Sequence, residues 1–275
     1  MESLVISGTQ PAFNSLYGSV GGDGDSHPSG EISLESDQGQ PINFFERYGA
    51  RLISNGYTPI PIQPRTKLPG SYANGAWYGL KAWSGYLINP PSKGDLEQWA
   101  AWPEAGVGLL TGNIIGIDVD IIDIDLASAA VNKADEIFGA SPLMRIGQEP
   151  KALLVYRVSQ SLRKRAVGSK GKLIEILGFG QQFVAYGIHP YTKQPYRWPS
   201  LSPLQVPARD LPIVTAATLD KFLEAVAPLV NASELPKRGS KVQGNSTALA
   251  NTPRTSISSE ADELREALSF VPNGD

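Results

Sequence analysis

The chain has 275 residues, enough for one large domain or two small ones with ample core. It contains no cysteine, which excludes a disulfide framework, a thiolate metal site and a cysteine nucleophile, and fits a reducing cytoplasm. No apolar run approaches the roughly 18 residues of a membrane span, and the N-terminus lacks a basic-then-apolar signal pattern.

The formal net charge of −3 is uneven. Glu2, Asp23, Asp25, Glu31, Glu35 and Asp37 stand in the first 40 residues without a Lys or Arg, which leaves +3 for the rest. Residues 1–42 are rich in Gly, Ser, Asp and Gln and predict a disordered acidic leader, with His27 inside it and without a catalytic role. Order is expected from Asn43. Phe44 to Ile53 has helical spacing with Gly56 as a stop signal, and Thr58–Ile62 reads as a short strand. A loop, Gln63–Pro69, then carries two cations, Arg65 and Lys67. Trp99 and Trp102 fall three apart on a helix predicted over Lys93–Ala101, and are expected to be buried core rather than a base-stacking surface. Gly106–Gly112 reads as a strand and turn.

The stretch Gly112-Asn-Ile-Ile-Gly-Ile-Asp118-Val-Asp120-Ile-Ile-Asp123-Ile-Asp125 follows. Its apolar residues predict a strand, in which positions two apart share a face, so Asp118 and Asp120 stand side by side. Two like charges that close repel and cost desolvation unless something positive sits between them. A divalent cation held by carboxylates and substrate phosphates, Mg²⁺ or Mn²⁺, is the usual answer. Asp123 reads as a turn residue and Asp125 as the N-cap of a helix from Leu126 to Phe138. A bare D-x-D also occurs in nucleotide-sugar transferases and nucleases.

A loop, Arg145–Lys151, leads to the strand Ala152–Val158, and a basic turn, Leu162–Lys172, to the strand Leu173–Leu177. Glu175 is the single carboxylate of that strand; such a Glu often just faces solvent. Gly178–Gly180 turns the chain into the strand Gln181–Gly187, then a Pro-rich turn, His189–Pro195, and a closing strand, Tyr196–Trp198. Thr218 is expected to cap a helix, Leu219–Val226, that ends the domain, 43–230. Residues 231–258 read as a linker, and 259–275 as an amphipathic helix that begins a second domain and stops inside it. Between Arg145 and Lys172, eight cations (Arg145, Lys151, Arg157, Arg163, Lys164, Arg165, Lys170, Lys172) face one acid, Glu149. Such a block is usually solvated surface; beside a metal-phosphate site it would track a nucleic-acid backbone or a triphosphate.

Taken together, the D-x-D strand after Val107-Gly-Leu-Leu-Thr-Gly-Asn113, the basic strand, the lone Glu175 and Gly180-Gln-Gln-Phe-Val-Ala-Tyr-Gly-Ile-His-Pro-Tyr-Thr-Lys-Gln-Pro-Tyr-Arg-Trp198 resemble one family. It is the primase-polymerase (Prim-Pol) domain of the archaeo-eukaryotic primase superfamily, in versions carried by phages, prophages and plasmids. The resemblance implies an α+β catalytic core, a mixed or antiparallel RRM-like sheet flanked by helices. It implies DNA polymerisation or primer synthesis by a two-metal mechanism, with Asp118, Asp120 and Glu175 as the carboxylates. DNA template and primer, dNTPs or NTPs, and a following helicase are the implied partners, in the cytoplasm of a bacterial host. The tail Glu263-Leu-Arg-Glu-Ala-Leu-Ser-Phe-Val-Pro272 looks like the start of the small helical domain that often follows such primases.

The sequence departs from the family at one place. A histidine that contacts the nucleotide's phosphates is missing beside Ala152–Arg157, where Glu149-Pro-Lys151 stands instead. Arg145 or Lys151 can supply the charge, as a fork or a point charge rather than a titratable ring. Arg157 and His189 are further candidates for the nucleotide side, and Arg163, Lys164, Arg165, Lys170 and Lys172 for DNA, with binding that weakens steeply in salt. The rival expectations are a replication-initiator module that grips DNA without chemistry, and a metal-dependent nuclease or nucleotide-sugar transferase using the same carboxylates.

Overall fold

Apolar alternation organises the described residues around two larger sheets, a two-stranded hairpin and four α-helices. The computed structural model describes residues 42–231, which belong to one unit. The leader with His27, the linker beyond Asn231 and the helical tail lie outside the described residues. In chain order the elements are α1 (Phe44–Ser54), β1 (Pro59–Ile62), β2 (Gly70–Ala73), β3 (Ala76–Gly79), α2 (Lys93–Ala100), β4 (Gly106–Thr111), β5 (Ile114–Ile121) and α3 (Ile124–Phe138). They continue with β6 (Met144–Ile146), β7 (Ala152–Val158), β8 (Arg165–Ser169), β9 (Lys172–Leu177), β10 (Gln181–Tyr186), β11 (Ile213–Val214) and α4 (Ala216–Asn231).

The six-stranded sheet runs β11-β7-β5-β9-β8, with β6 sharing the outer edge of β7. All its pairings are antiparallel except β11 with β7, so the sheet is mixed, and the fold is α+β as expected. Along β5, Ile115, Ile117, Val119 and Ile121 are fully buried against Ala127, Ala130, Val131 and Ala134 of α3 and Phe222 and Val226 of α4. Burying each such Ile or Val stabilises by about 1.5–3 kcal/mol, which fixes the register of the central strand. The even-numbered residues, Ile114, Gly116, Asp118 and Asp120, therefore face the other way.

The second sheet, β1-β4-β10, seats on that other face. Phe183 of β10 and Val107 and Leu109 of β4 join Ile114, Leu153 and Val155 in a second core. Gly116 makes this approach close: a Cβ there would already touch Leu153, Leu177 and Phe183 at 3.3–3.5 Å. Trp99 and Trp102 belong to the same core, Trp99 edge-on to Phe45 at 5.4 Å, so the helix face is buried as its spacing indicated. Among the described residues no helix is long and apolar enough to cross a membrane.

Several local expectations change. Asp123, not Asp125, caps α3: its Oδ1 accepts from the N–H groups of Asp125 and Leu126, both at 3.0 Å, while Asp125 sits in the first turn. Thr215 rather than Thr218 caps α4; the two hydroxyls bond reciprocally to each other's backbone N–H. The Arg145 loop begins as strand β6, and the basic turn folds as β8, paired with β9. The hairpin β2–β3 around Asn74-Gly75 was not foreseen. Tyr196–Trp198 makes a single bridge, Arg197 to Ile146, instead of a strand.

Because Asp123 satisfies two otherwise unpaired N–H donors, Asp123→Ala should cost about 1 kcal/mol in urea unfolding. Asp125→Ala should cost less.

Candidate active site

Strand register brings the carboxylates together. Asp118 of β5 lies directly opposite Glu175 of β9, and opposite Leu153 of β7 on its other side. Leu153 in turn faces Arg145 of β6, so Arg145, Leu153, Asp118 and Glu175 form one row across one face of the sheet. Directly opposed residues have Cβ atoms about 4.5–5.5 Å apart. Asp120, two residues on, shares the face.

Two of the three acids have a cation in contact. Lys151 Nζ lies 2.7 Å from Asp120 Oδ1, and Lys164 Nζ 3.1 Å from Glu175 Oε1. Both pairs are partly exposed, so each adds little stability. Asp118 has no such contact partner. It keeps some accessible surface yet lies deep among protein atoms, and desolvation raises its pKa above the usual carboxylate range; Arg145 and Lys67 oppose the rise, Asp120 and Glu175 add to it.

Arg145 is tethered by Nη1 donating to Val184 O at 2.7 Å, and its guanidinium lies 4.7 Å from the centre of the Tyr196 ring. The Tyr196 hydroxyl is buried without a hydrogen-bond partner, and burial pushes its pKa up to about 12. His189 is 4 % exposed, edge-on to Tyr196 at 5.2 Å. Burial first, then the charges of Lys67, Arg145, Lys151 and Lys193, push its pKa down to about 4. Its Nδ1 accepts from Thr192 N–H at 3.2 Å, so the proton of the neutral ring sits on Nε2, a donor.

The structure thus gathers Asp118, Asp120, Glu175, Arg145, Lys151, Lys164 and His189. It adds Lys67, which the sequence offered only as one of two loop cations. Other candidates lie elsewhere. Arg157 faces Ile114, four residues along β7 from Leu153 or about 13 Å, and lines a separate cavity of about 430 Å³ with Asn113 and Arg209. Arg165 and Lys172 alternate to the helix side of the β8–β9 hairpin, where Arg165 pairs with Asp220 of α4. Arg163 is exposed and Lys170 occupies the hairpin turn. The eight-cation stretch is therefore split between faces rather than a single basic track.

The donor set is all carboxylate, the kind that suits a hard cation such as Mg²⁺ or Mn²⁺. Among the described residues, however, no three His, Asp or Glu side chains stand grouped closely enough to hold one ion. The acids fit in kind and share a face, with Asp120 and Glu175 each held by a lysine through one oxygen.

Opposed strand carboxylates with cations beside them are a pairing suited to phosphate-ester substrates. Residues 50–212 match the Prim-Pol family, described as bifunctional DNA primase/polymerase, N-terminal, and the chain belongs to that family. No curated protein matches the chain.

Two measurements check these electrostatics. An NMR titration should show one histidine titrating near 4, and His189→Gln should delete it. Asp118 has a raised folded pKa, so stability falls as pH rises from its unfolded value through the folded one. Asp118→Asn should therefore stabilise the protein at pH 7, a gain that vanishes at low pH where the wild-type acid is protonated.

Proposed function

We propose that this domain performs template-directed nucleotidyl transfer, as a DNA polymerase and primer-synthesising enzyme of phage or plasmid replication in a bacterial host cell. The observation that supports it most is the register setting Asp118 against Glu175, with Asp120 two residues on, inside a ring of cations. Asp118, Asp120 and Glu175 would hold two Mg²⁺ or Mn²⁺ ions. When bound, the ions lower the pKa of the attacking 3′-hydroxyl and neutralise charge on the α-phosphate and leaving pyrophosphate.

The chain's own side chains do the rest. Lys151 and Lys164, paired with Asp120 and Glu175, would turn to substrate phosphates when the site is loaded. Arg145, fixed over Tyr196, presents a permanently charged fork. Neutral His189 offers Nε2–H as a donor that costs no buried charge. Primed DNA template and dNTPs or NTPs are the substrates, and a helicase is the expected working partner.

A labelled primed template with dNTPs and Mn²⁺ tests this reading. Longer products are expected, with Asp118→Asn and Asp120→Asn lowering the rate by about 10²–10⁴-fold while DNA affinity persists. Shortened products would mean a nuclease; unchanged primer with intact DNA binding would mean a binding module. Lys151→Ala should raise the nucleotide KM, and an unchanged KM would remove Lys151 from the phosphate contacts.

A further inference from the structure

The two cations of the β1–β2 loop are used differently. Arg65 turns away to Glu104, at 3.0 Å. Lys67 has no ion-pair partner at contact distance among the described residues. The loop around it is fixed: Gln63 N–H donates to Leu68 O at 3.0 Å, and Leu68 N–H to Thr66 Oγ1 at 3.1 Å. Gln182 of β10 then clamps the Lys67 carbonyl through Nε2 at 2.9 Å. Two residues on, Val184 O holds Arg145. The same strand thus docks the backbone of Lys67 and the guanidinium of Arg145 beside Asp118.

The side chain of Lys67 is exposed, yet its environment is cationic. Burial of its surroundings and the charge of Arg145 lower its pKa, against the pull of Asp118 and Asp120 and with a further push from Lys151. Lys67, Arg145 and Lys151 lie near enough for their charges to act on one another and on His189, and only Lys151 is neutralised there by contact with an acid. Such a density of positive charge, with a carboxylate floor, calls for a compact polyanion. A single-stranded backbone offers one charge per nucleotide; a triphosphate offers about four on three linked phosphorus atoms.

We propose that Lys67 is a triphosphate ligand. Its Nζ donates to the non-bridging oxygens of the β- and γ-phosphates, beside Lys151. The proposal rests on the nucleotidyl-transfer reading for its nucleotide and on the loop geometry for its residue.

The test uses Lys67→Met, which keeps the stem and removes the charge, and Lys67→Arg, which restores it. In primer extension, Lys67→Met should raise the dNTP KM by about ten- to hundredfold, with kcat and primer–template affinity changed little. Lys67→Arg should recover part of the loss, and Gln182→Ala, which frees the loop without touching the charge, should raise KM to a smaller extent. Equilibrium binding of inorganic tripolyphosphate should weaken in parallel in Lys67→Met. A wild-type chain that extends no primer but binds tripolyphosphate through Lys67 would sink the polymerase reading and keep this one. An unchanged KM in an active Lys67→Met, or weaker DNA binding at constant KM, would overturn it.

Discussion

The rest of the structure is arranged around two carboxylates forced into register on neighbouring strands. Ile117 and Ile176, buried with Val119 and Ile174 against the helices, leave Asp118 and Glu175 no choice of face. A like-charge pair directly across a sheet is destabilising, so the protein must compensate from outside the two strands. It does so with Lys164 on Glu175, Lys151 on Asp120 and the more distant Arg145 and Lys67 on Asp118. Each compensating cation comes from a different segment, and this ties the β1–β2 loop, β6, the turn before β7 and the approach to β8 to one point.

The seam between the sheets decides how deep that point lies. At Ile114 and Gly116 the face of β5 is closed by Phe183. Two residues later the cover ends and Asp118 emerges, with Asp120 beyond it. Both carboxylates keep some accessible surface, but only Asp120 has a lysine in contact. Two acids of similar sequence context therefore differ in environment: Asp120 has a lysine in contact, and desolvation raises the pKa of Asp118. Tyr196, stacked under Arg145 and beside His189, closes the same seam from the C-terminal side.

Much of this was legible in the sequence because it follows from period-two patterning: β5, β7, β9 and β10 are apolar runs, and a carboxylate in such a run has one of two faces. What was not legible depends on pairing between strands distant in the chain. Arg157 shares a face with Leu153, but only the register with β5 places it opposite Ile114 instead of Asp118. The β8 segment reads as a basic turn because four of its five residues are exposed, and an edge strand of small and charged residues carries little apolar signal. The hairpin β2–β3 did carry a signal, the Asn74-Gly75 pair suited to a two-residue turn with both φ angles positive. The importance of Lys67 carried none, since it is set by Gln182, 115 residues away.

The electrostatic arrangement also weighs against a domain that merely holds DNA. A surface for a polyanion gains from cations and loses from every exposed acid near them. Here the acids lie at the centre, one of them desolvated enough to raise its pKa, and at least two of the nearest lysines are neutralised by them. Such a cost to stability, kept inside an otherwise well-buried sheet, brings no return in folding. Replacing Asp118 by Leu would suit both the sheet and the binding of DNA better. What it would not suit is a reaction in which a cation must be drawn between an acid and a phosphate.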